Sequence, residues 1–428
     1  MKNDFSEKRI LIAICSIFSI LLIDSLHVIS IPQTALLIII MIIPFFLGKE
    51  EIVAYAISFS MLGTRIQVAY ICASCLINLL IKNKFKMNFS MILTIGLFAF
   101  TELINVLKYP NDNLAELLRY LIVYSFVLYS LLMDITQNGK RVIINSFIIS
   151  TSLYVIIVLI ETLALTGWNF AYIFNGAIRL GYSEQLGGNL LYSADPNLLG
   201  QGCSLVIALC IVLIFFKKIK YIIPLIICFF AGAMTLSKTF LLSLVLIFIL
   251  TFLLCGDYHN PLKSFAKRFS ILALIVIIIF SIYKIYPSYF DNIMNRIDKS
   301  DITTGRTEIA LKYIEVIFSK TDSLFRGIGI QNVGEKTGII SSPHTAIVEI
   351  FICWGIIGLL FIISYFIYLM RKHISTNERF NKLNLIPIIV FVFVTQSTQF
   401  FRVRDHILCL IVILLSCGLN LNWREKNE

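Results

Sequence analysis

Residues 305–358 read GRTEIALKYIEVIFSKTDSLFRGIGIQNVGEKTGIISSPHTAIVEIFICWGIIG. The stretch is water-facing as far as Ser342 and apolar beyond it, in a chain otherwise built largely of apolar runs. It therefore marks one long aqueous segment feeding back into a membrane. Gly305-Arg306 opens it, and from Thr307 to Lys320 the residues Ile309, Ala310, Tyr313, Ile314, Ile317 and Phe318 recur on one helical face. That period predicts an amphipathic helix lying on the membrane surface or against the bundle. Arg326-Gly327-Ile328-Gly329 supplies a turn, and Ser341-Ser342-Pro343-His344 leads into an apolar helix that closes on Trp354-Gly355-Ile356-Ile357-Gly358.

Working outward, 58% of the 428 residues are hydrophobic, 14% are charged and the mean hydropathy is +0.88. A soluble chain of this size could not keep that much apolar surface from aggregating. Apolar runs of roughly 14 to 26 residues recur throughout, long enough for helical spans, some with tilt. We read an all-α bundle of about fourteen spans, the pair around 51 to 81 being the least regular. Lys and Arg in the short loops set the orientation. Lys2, Lys8 and Arg9 precede the first span, and one side then receives Lys82/Lys84/Lys86, Lys140/Arg141, Lys217/Lys218/Lys220, Lys263/Lys267/Arg268, Arg371/Lys372/Arg379/Lys382 and Arg424/Lys426. The opposite loops carry mostly single cations, including Arg65, Lys108, Arg179, Lys238, Arg402 and Arg404. One alternating assignment satisfies them all and places both termini in the cytoplasm. The formal charge of +11 is this bias, so no nucleic-acid partner is needed to explain it.

The expected organisation is helices over 1–286 with a smaller outer loop near 166–195, a large extracytoplasmic loop over 287–343, and C-terminal helices over 344–428. The ten cysteines fall in or at the ends of spans, which argues against disulfides, and Cys72/Cys75 reads as packing rather than half a metal site. No metal and no cofactor is expected. Ionisable groups are costly within spans and mark function. Glu102, Glu116, Arg119, Glu161, Lys238, Glu349 and the Arg402 to His406 turn all fall towards the outer leaflet, which suggests a polar cavity opening outward. Snorkelling to the headgroups is the plainer reading for Glu116 or Arg402 alone.

Several residues suit chemistry there. His344, with Ser342 as N-cap and Pro343 in the first turn, sits at a helix start that disfavours a protonated imidazole, so it can accept a proton from a hydroxyl; it can equally be an interfacial residue. Arg306 at the first turn of its helix suits a phosphate or pyrophosphate, or else pairs with Asp301 or Glu308. Gly327 and Gly329 allow a ligand to approach the backbone beside Arg326. The smaller loop holds Arg179, Gly181, Gly187 and Gly188 before Ser193-Ala194-Asp195-Pro196-Asn197-Leu198-Leu199-Gly200, where Asp195 or Asn197 caps the next helix. Lys238, in Thr235-Leu236-Ser237-Lys238-Thr239, can meet an anionic headgroup.

Taken in order, these motifs resemble the O-antigen polymerase and O-antigen ligase superfamily, the Wzy-type polymerases and their ligase relatives. The resemblance runs from about Arg179 to Gly358: an arginine before a glycine-rich loop, Asp195 to Gly200, Ser237-Lys238, the large outer loop with Gly305-Arg306, Gly327 to Gly329, and His344 entering a span. Two positions depart from it, Lys238 where the family often has arginine, and Thr345 after His344 where it commonly has asparagine.

The resemblance implies a multi-span fold like that of membrane glycosyltransferases using polyprenyl-linked donors. It also implies transfer of a glycan from an undecaprenyl-pyrophosphate carrier at the outer face of a bacterial plasma membrane, producing O-antigen or capsular polysaccharide. In this scheme His344 is the base, Arg306 the main pyrophosphate ligand, and Arg179, Lys238 and Arg326 its helpers. Asp195 and Asn197 belong to the substrate region, and Glu349 orients His344 or the acceptor. The implied partners are the lipid-linked donor and acceptor, membrane lipids, a chain-length regulator and a flippase. A ligase of the same superfamily is the alternative. A lipid-linked oligosaccharide flippase would show two similar halves, and none relates 1–210 to 211–428.

Overall fold

A computed structural model describes residues 2–254, 305–375 and 381–420, with Phe269, Lys284, Pro287 and Asp291, less positions 27, 29–30, 63–65, 88, 110, 194, 217, 320, 340, 398 and 404. Cys255, Arg65, Lys217, Arg404, most of 255–304 with its basic cluster, and the start of the expected large loop lie outside the described residues. Among those described, regular structure is helical and no strand occurs. The helices are α1 Lys2–Ser25, α2 Gln33–Ile42, α3 Lys49–Ile57, α4 Val68–Lys82, α5 Phe89–Lys108, α6 Leu114–Leu132, α7 Gln137–Leu165, α8 Phe170–Phe174, α9 Pro196–Phe215, α10 Ile222–Met234 and α11 Lys238–Leu254. They continue with α12 Arg306–Phe318, α13 Thr321–Arg326, α14 Val333–Thr337, α15 Ala346–Ser375, α16 Ile386–Thr395 and α17 Cys409–Cys417. Five of these, α5, α6, α7, α9 and α15, are long and apolar enough to cross a membrane, and shorter apolar helices accompany them. The protein is a multi-pass membrane protein.

The chain divides into two compact units, one comprising 1–154, 305–380 and 395–428, the other 155–304 and 381–394. In the first, α6 packs against α4, α5 and α17, while α12 and α13 lie on α15. Only Met91, Glu102 and Asn105 of α5 are buried, whereas Ile92, Leu93, Leu97, Phe100, Leu103 and Leu107 are exposed. Such a continuous apolar face is an aggregation site in water and an ordinary surface in lipid. Two lysines close helix C-termini of this unit: Lys372 Nζ donates to the O of Leu132 (2.8 Å), the last residue of α6, and Lys140 Nζ to Gly418 O (3.0 Å), just beyond α17. Both bonds satisfy carbonyls left without a helical partner.

Lipid removes the hydrophobic drive between helices, so close packing must come from small residues. The second unit shows this. A β-carbon on Gly232 of α10 would lie 2.1 Å from the Phe240 ring, and one on Gly200 of α9 only 3.2 Å from Thr235 and Ser237. Ser204 and Ser243 hydrogen-bond between α9 and α11, and Gln201 Nε2 donates to Val394 O (2.6 Å).

The feature that most shapes the first unit is a break in α15. Gly355 adopts φ 63°, ψ −165°, so the helix stops at Trp354 and restarts. Backbone broken at membrane depth must find partners within protein. They come from the glycine turn before it: Ile328 N–H donates to Ile352 O and Gly329 N–H to Cys353 O, both at 2.9 Å. The close backbone approach that Gly327-Ile328-Gly329 allows is made here to the chain's own backbone. A β-carbon on Gly327 would stand 2.3 Å from Cys353 O, and one on Gly355 2.4 Å from the Phe325 carbonyl.

Candidate functional site

In the first unit the site is built on α12. Gly305 holds φ 75°, a conformation that L side chains avoid, and turns the chain into the helix at Arg306. Tyr313 and Ile317 are buried along its apolar stripe, whereas Phe318, the last residue of the helix, is 63% exposed. Tyr313 Oη donates to Ser341 O (2.8 Å), three residues ahead of His344. Burial raises the Tyr313 phenol pKa, with the Thr337 hydroxyl and the Arg402 charge acting against the shift. Arg306 precedes Tyr313 by seven residues, two helical turns, so it shares that face about 10 Å along the axis. One hydrogen bond therefore ties the helix that carries Arg306 to the segment that carries His344.

The helix after His344 starts later than its sequence suggests. Glu349 N–H donates to Thr345 O (2.8 Å), which puts Thr345 at the N-cap and leaves His344, Pro343 and Ser342 outside. Both oxygens of Glu349 are spent on backbone: Oε2 accepts from the Phe400 and Phe401 N–H groups (2.9 Å each), and Oε1 from that of Arg402 (2.7 Å). A carboxylate ringed by three N–H donors is a strong, charge-assisted anchor. These bonds serve the 400–402 loop, beside the expectation that Glu349 orients His344 or the acceptor. Tyr120 and Tyr124 complete that loop by donating to Arg402 O and Phe401 O (3.0 Å each).

Glu102, fully buried in α5, plays the corresponding part for the glycine turn. It accepts the Trp354 indole N–H at 2.6 Å and the Ile330 N–H at 3.1 Å. Lys336 ion-pairs with Asp112 (2.6 Å), donates to Ile328 O (2.8 Å) and lies over the Tyr109 ring (4.3 Å). Arg326, in contrast, is 54% exposed and held by Asp322, which also binds Lys108 at 2.9 Å. The Lys108 hydrogen bond, then that of Arg326, pulls the Asp322 carboxyl below its usual range.

The second unit gathers the other expected residues at one end of α9. Asp195 caps α9 by accepting Asn197 N–H (2.7 Å), with Pro196 in the first turn. Arg179 donates from Nε to Thr235 O (2.9 Å) and from Nη2 to Asn197 Oδ1 (3.3 Å), and stacks over Tyr182 at 5.5 Å. The Tyr182 phenol is raised by its bond to Glu184, with burial second. Lys238 starts α11 three residues beyond Thr235. Arg179, Asp195, Asn197 and the turn before Lys238 thus share one hydrogen-bonded end.

Glu102, Lys336 and Arg402 organise the first unit without having been assigned a role from sequence. For Glu102 and Arg402 the signal was charge at span depth, whereas Lys336 is one of several charges in the outer loop; their partners lie up to 282 residues away.

These elements define a polytopic helical membrane protein whose polar groups collect around a broken helix and a docked glycine turn. Residues 223–363 match the family described as O-antigen ligase (Wzy_C), a stretch that contains Lys238, Arg306, Arg326, His344 and Glu349. The match supports the O-antigen polymerase and ligase superfamily, whose members are glycosyltransferase-like enzymes acting on polysaccharides. Comparison with curated proteins gives no match.

Proposed function

We propose that this protein is a polysaccharide polymerase of a bacterial plasma membrane, joining undecaprenyl-pyrophosphate-linked oligosaccharide repeats at the outer face into O-antigen or capsular polymer. The observation that carries the reading is the tie between Arg306 and His344 through Tyr313 and Ser341, inside the stretch that matches the O-antigen ligase family. In the proposed step an acceptor hydroxyl oxygen attacks the anomeric carbon of the donor. The bond from that carbon to the diphosphate oxygen breaks, its electron pair leaves with the diphosphate, and the hydroxyl proton passes to His344. Arg306, a planar fork at a helix start, stabilises the charge growing on the diphosphate. In the second unit, Arg179 and Lys238 are proposed substrate-binding cations together with Asp195 and Asn197, Asn197 accepting from Arg179 and Asp195 capping the helix that carries Asn197. Arg326 contributes once Asp322 yields. Glu349 is a positioning residue, acting through the 400–402 loop. A flippase and a chain-length regulator are the expected partners.

The test is the size distribution of surface and carrier-linked glycan in a strain lacking the gene, against the same strain complemented. Glycan arrested at one repeat outside the membrane supports a polymerase. Long polymer left on the carrier identifies a ligase, which shares the donor chemistry, and repeats trapped on the cytoplasmic leaflet identify a flippase.

A further inference from the structure

Arg402 lies outside the stretch matched to the O-antigen ligase family, in the loop between α16 and α17. Its backbone is fixed on both sides of its α-carbon, the N–H donating to Glu349 Oε1 (2.7 Å) and the carbonyl O accepting from Tyr120 Oη (3.0 Å), and its Nε donates to Ile330 O (3.2 Å). The side chain is therefore pinned inward, not extended to a headgroup region as a snorkelling arginine would be. Nη1 is buried and has no hydrogen-bond partner among the described residues. The Glu349 carboxylate, bonded to the Arg402 backbone, directs its oxygens at three backbone N–H groups.

Arg402 is half-buried, and an interior guanidinium N–H left unused costs free energy that an anion with oxygens to accept it would recover. Arginine presents a rigid fork that matches the two oxygens of a phosphate. The residues around it point to the same location: Ile330 belongs to the glycine turn docked at the break in α15, and the Arg402 charge is felt by Tyr313, which holds the His344 segment.

We infer that Arg402 is an oxyanion-binding residue, holding a phosphate group against the glycine turn of the first unit. The inference rests on the reading that the substrate carries a lipid-linked diphosphate, and the phosphate of an ordinary anionic lipid is the other source of the same chemistry.

The test uses the full chain in nanodiscs of neutral phosphatidylcholine, titrated with inorganic pyrophosphate by calorimetry. Wild type binds, and Arg402→Ala weakens binding at least tenfold. Arg402→Gln keeps a donor for Ile330 O while removing the charge; it shows the same loss and decides the matter should the alanine variant fail to fold. A second arm compares thermal midpoints in discs with and without phosphatidylglycerol. A midpoint raised by that lipid in wild type but not in Arg402→Gln assigns the site to a headgroup phosphate, and pyrophosphate binding alone assigns it to the diphosphate. Affinity and midpoint both unchanged in Arg402→Gln overturn the inference. Polymer formation by His344→Ala would instead overturn the functional reading, whatever Arg402 binds.

Discussion

Replacing Gly355 by alanine should destabilise the protein far more than its single added methyl suggests. The backbone there, φ 63° and ψ −165°, is closed to residues with a β-carbon, at a cost of about 1–3 kcal/mol. The new carbon would also stand 2.4 Å from the Phe325 carbonyl and 2.7 Å from Arg326 N, where ordinary contact begins at 3.4 Å. The glycine turn would have to retreat by roughly 1 Å, which carries the two 2.9 Å bonds from Ile328 and Gly329 beyond hydrogen-bonding distance. Each lost bond removes about 1 kcal/mol, so the total is about 3–5 kcal/mol, a large share of a normal folding free energy. Gly338 is the control: its φ of 72° is also positive, yet nothing lies within 4 Å of an added β-carbon. Gly338→Ala should cost about 1–2 kcal/mol, from backbone strain alone. Denaturation in mixed micelles, followed by circular dichroism, compares the two. Losses equal within about 0.5 kcal/mol would refute the joint as described.

Glu349→Gln should leave at least one of the buried N–H groups of Phe400, Phe401 and Arg402 without an acceptor, costing about 1–3 kcal/mol by the same denaturation assay. A variant as stable as wild type would show that the loop does not depend on the carboxylate. Arg306→Lys keeps the charge and loses the planar fork, so polymer yield should fall well below wild type; full yield would mean that diffuse charge suffices. Asp322 has a carboxyl pKa below its ordinary 3.8, so its contribution is complete at neutral pH and is lost as pH falls through the lowered value. The difference in thermal midpoint between wild type and Asp322→Asn should therefore be small, present near pH 7 and absent in strong acid. A difference that grows with acid would contradict this sign.

Hydropathy made the helical membrane class legible, and the stripe through Ile309, Tyr313 and Ile317 located α12 to within two residues of its ends. What stayed hidden depended on distant backbone. The Gly327 turn looked open to a ligand because its partner, Gly355, lies 28 residues on and reads in sequence as part of an unbroken span. Glu349 stood close to His344 along the chain, but its acceptors meet N–H groups at 400–402, and a backbone N–H leaves no trace in residue type. Glu102 was conspicuous by its depth in α5, while its pairing with Trp354 required the fold. Asp195 was the opposite case: helix capping is local, so the Asp-Pro-Asn order sufficed.

The central claim is that His344 takes the proton while one lipid-linked repeat is joined to another. Purified wild-type and His344→Ala protein, each in nanodiscs with a synthetic polyprenyl-diphosphate-linked repeat as sole substrate, would be compared by glycan gel. The account predicts a ladder of increasing length from wild type and a single-repeat band from an equally folded variant. A ladder from His344→Ala, or none from well-folded wild type, would contradict it.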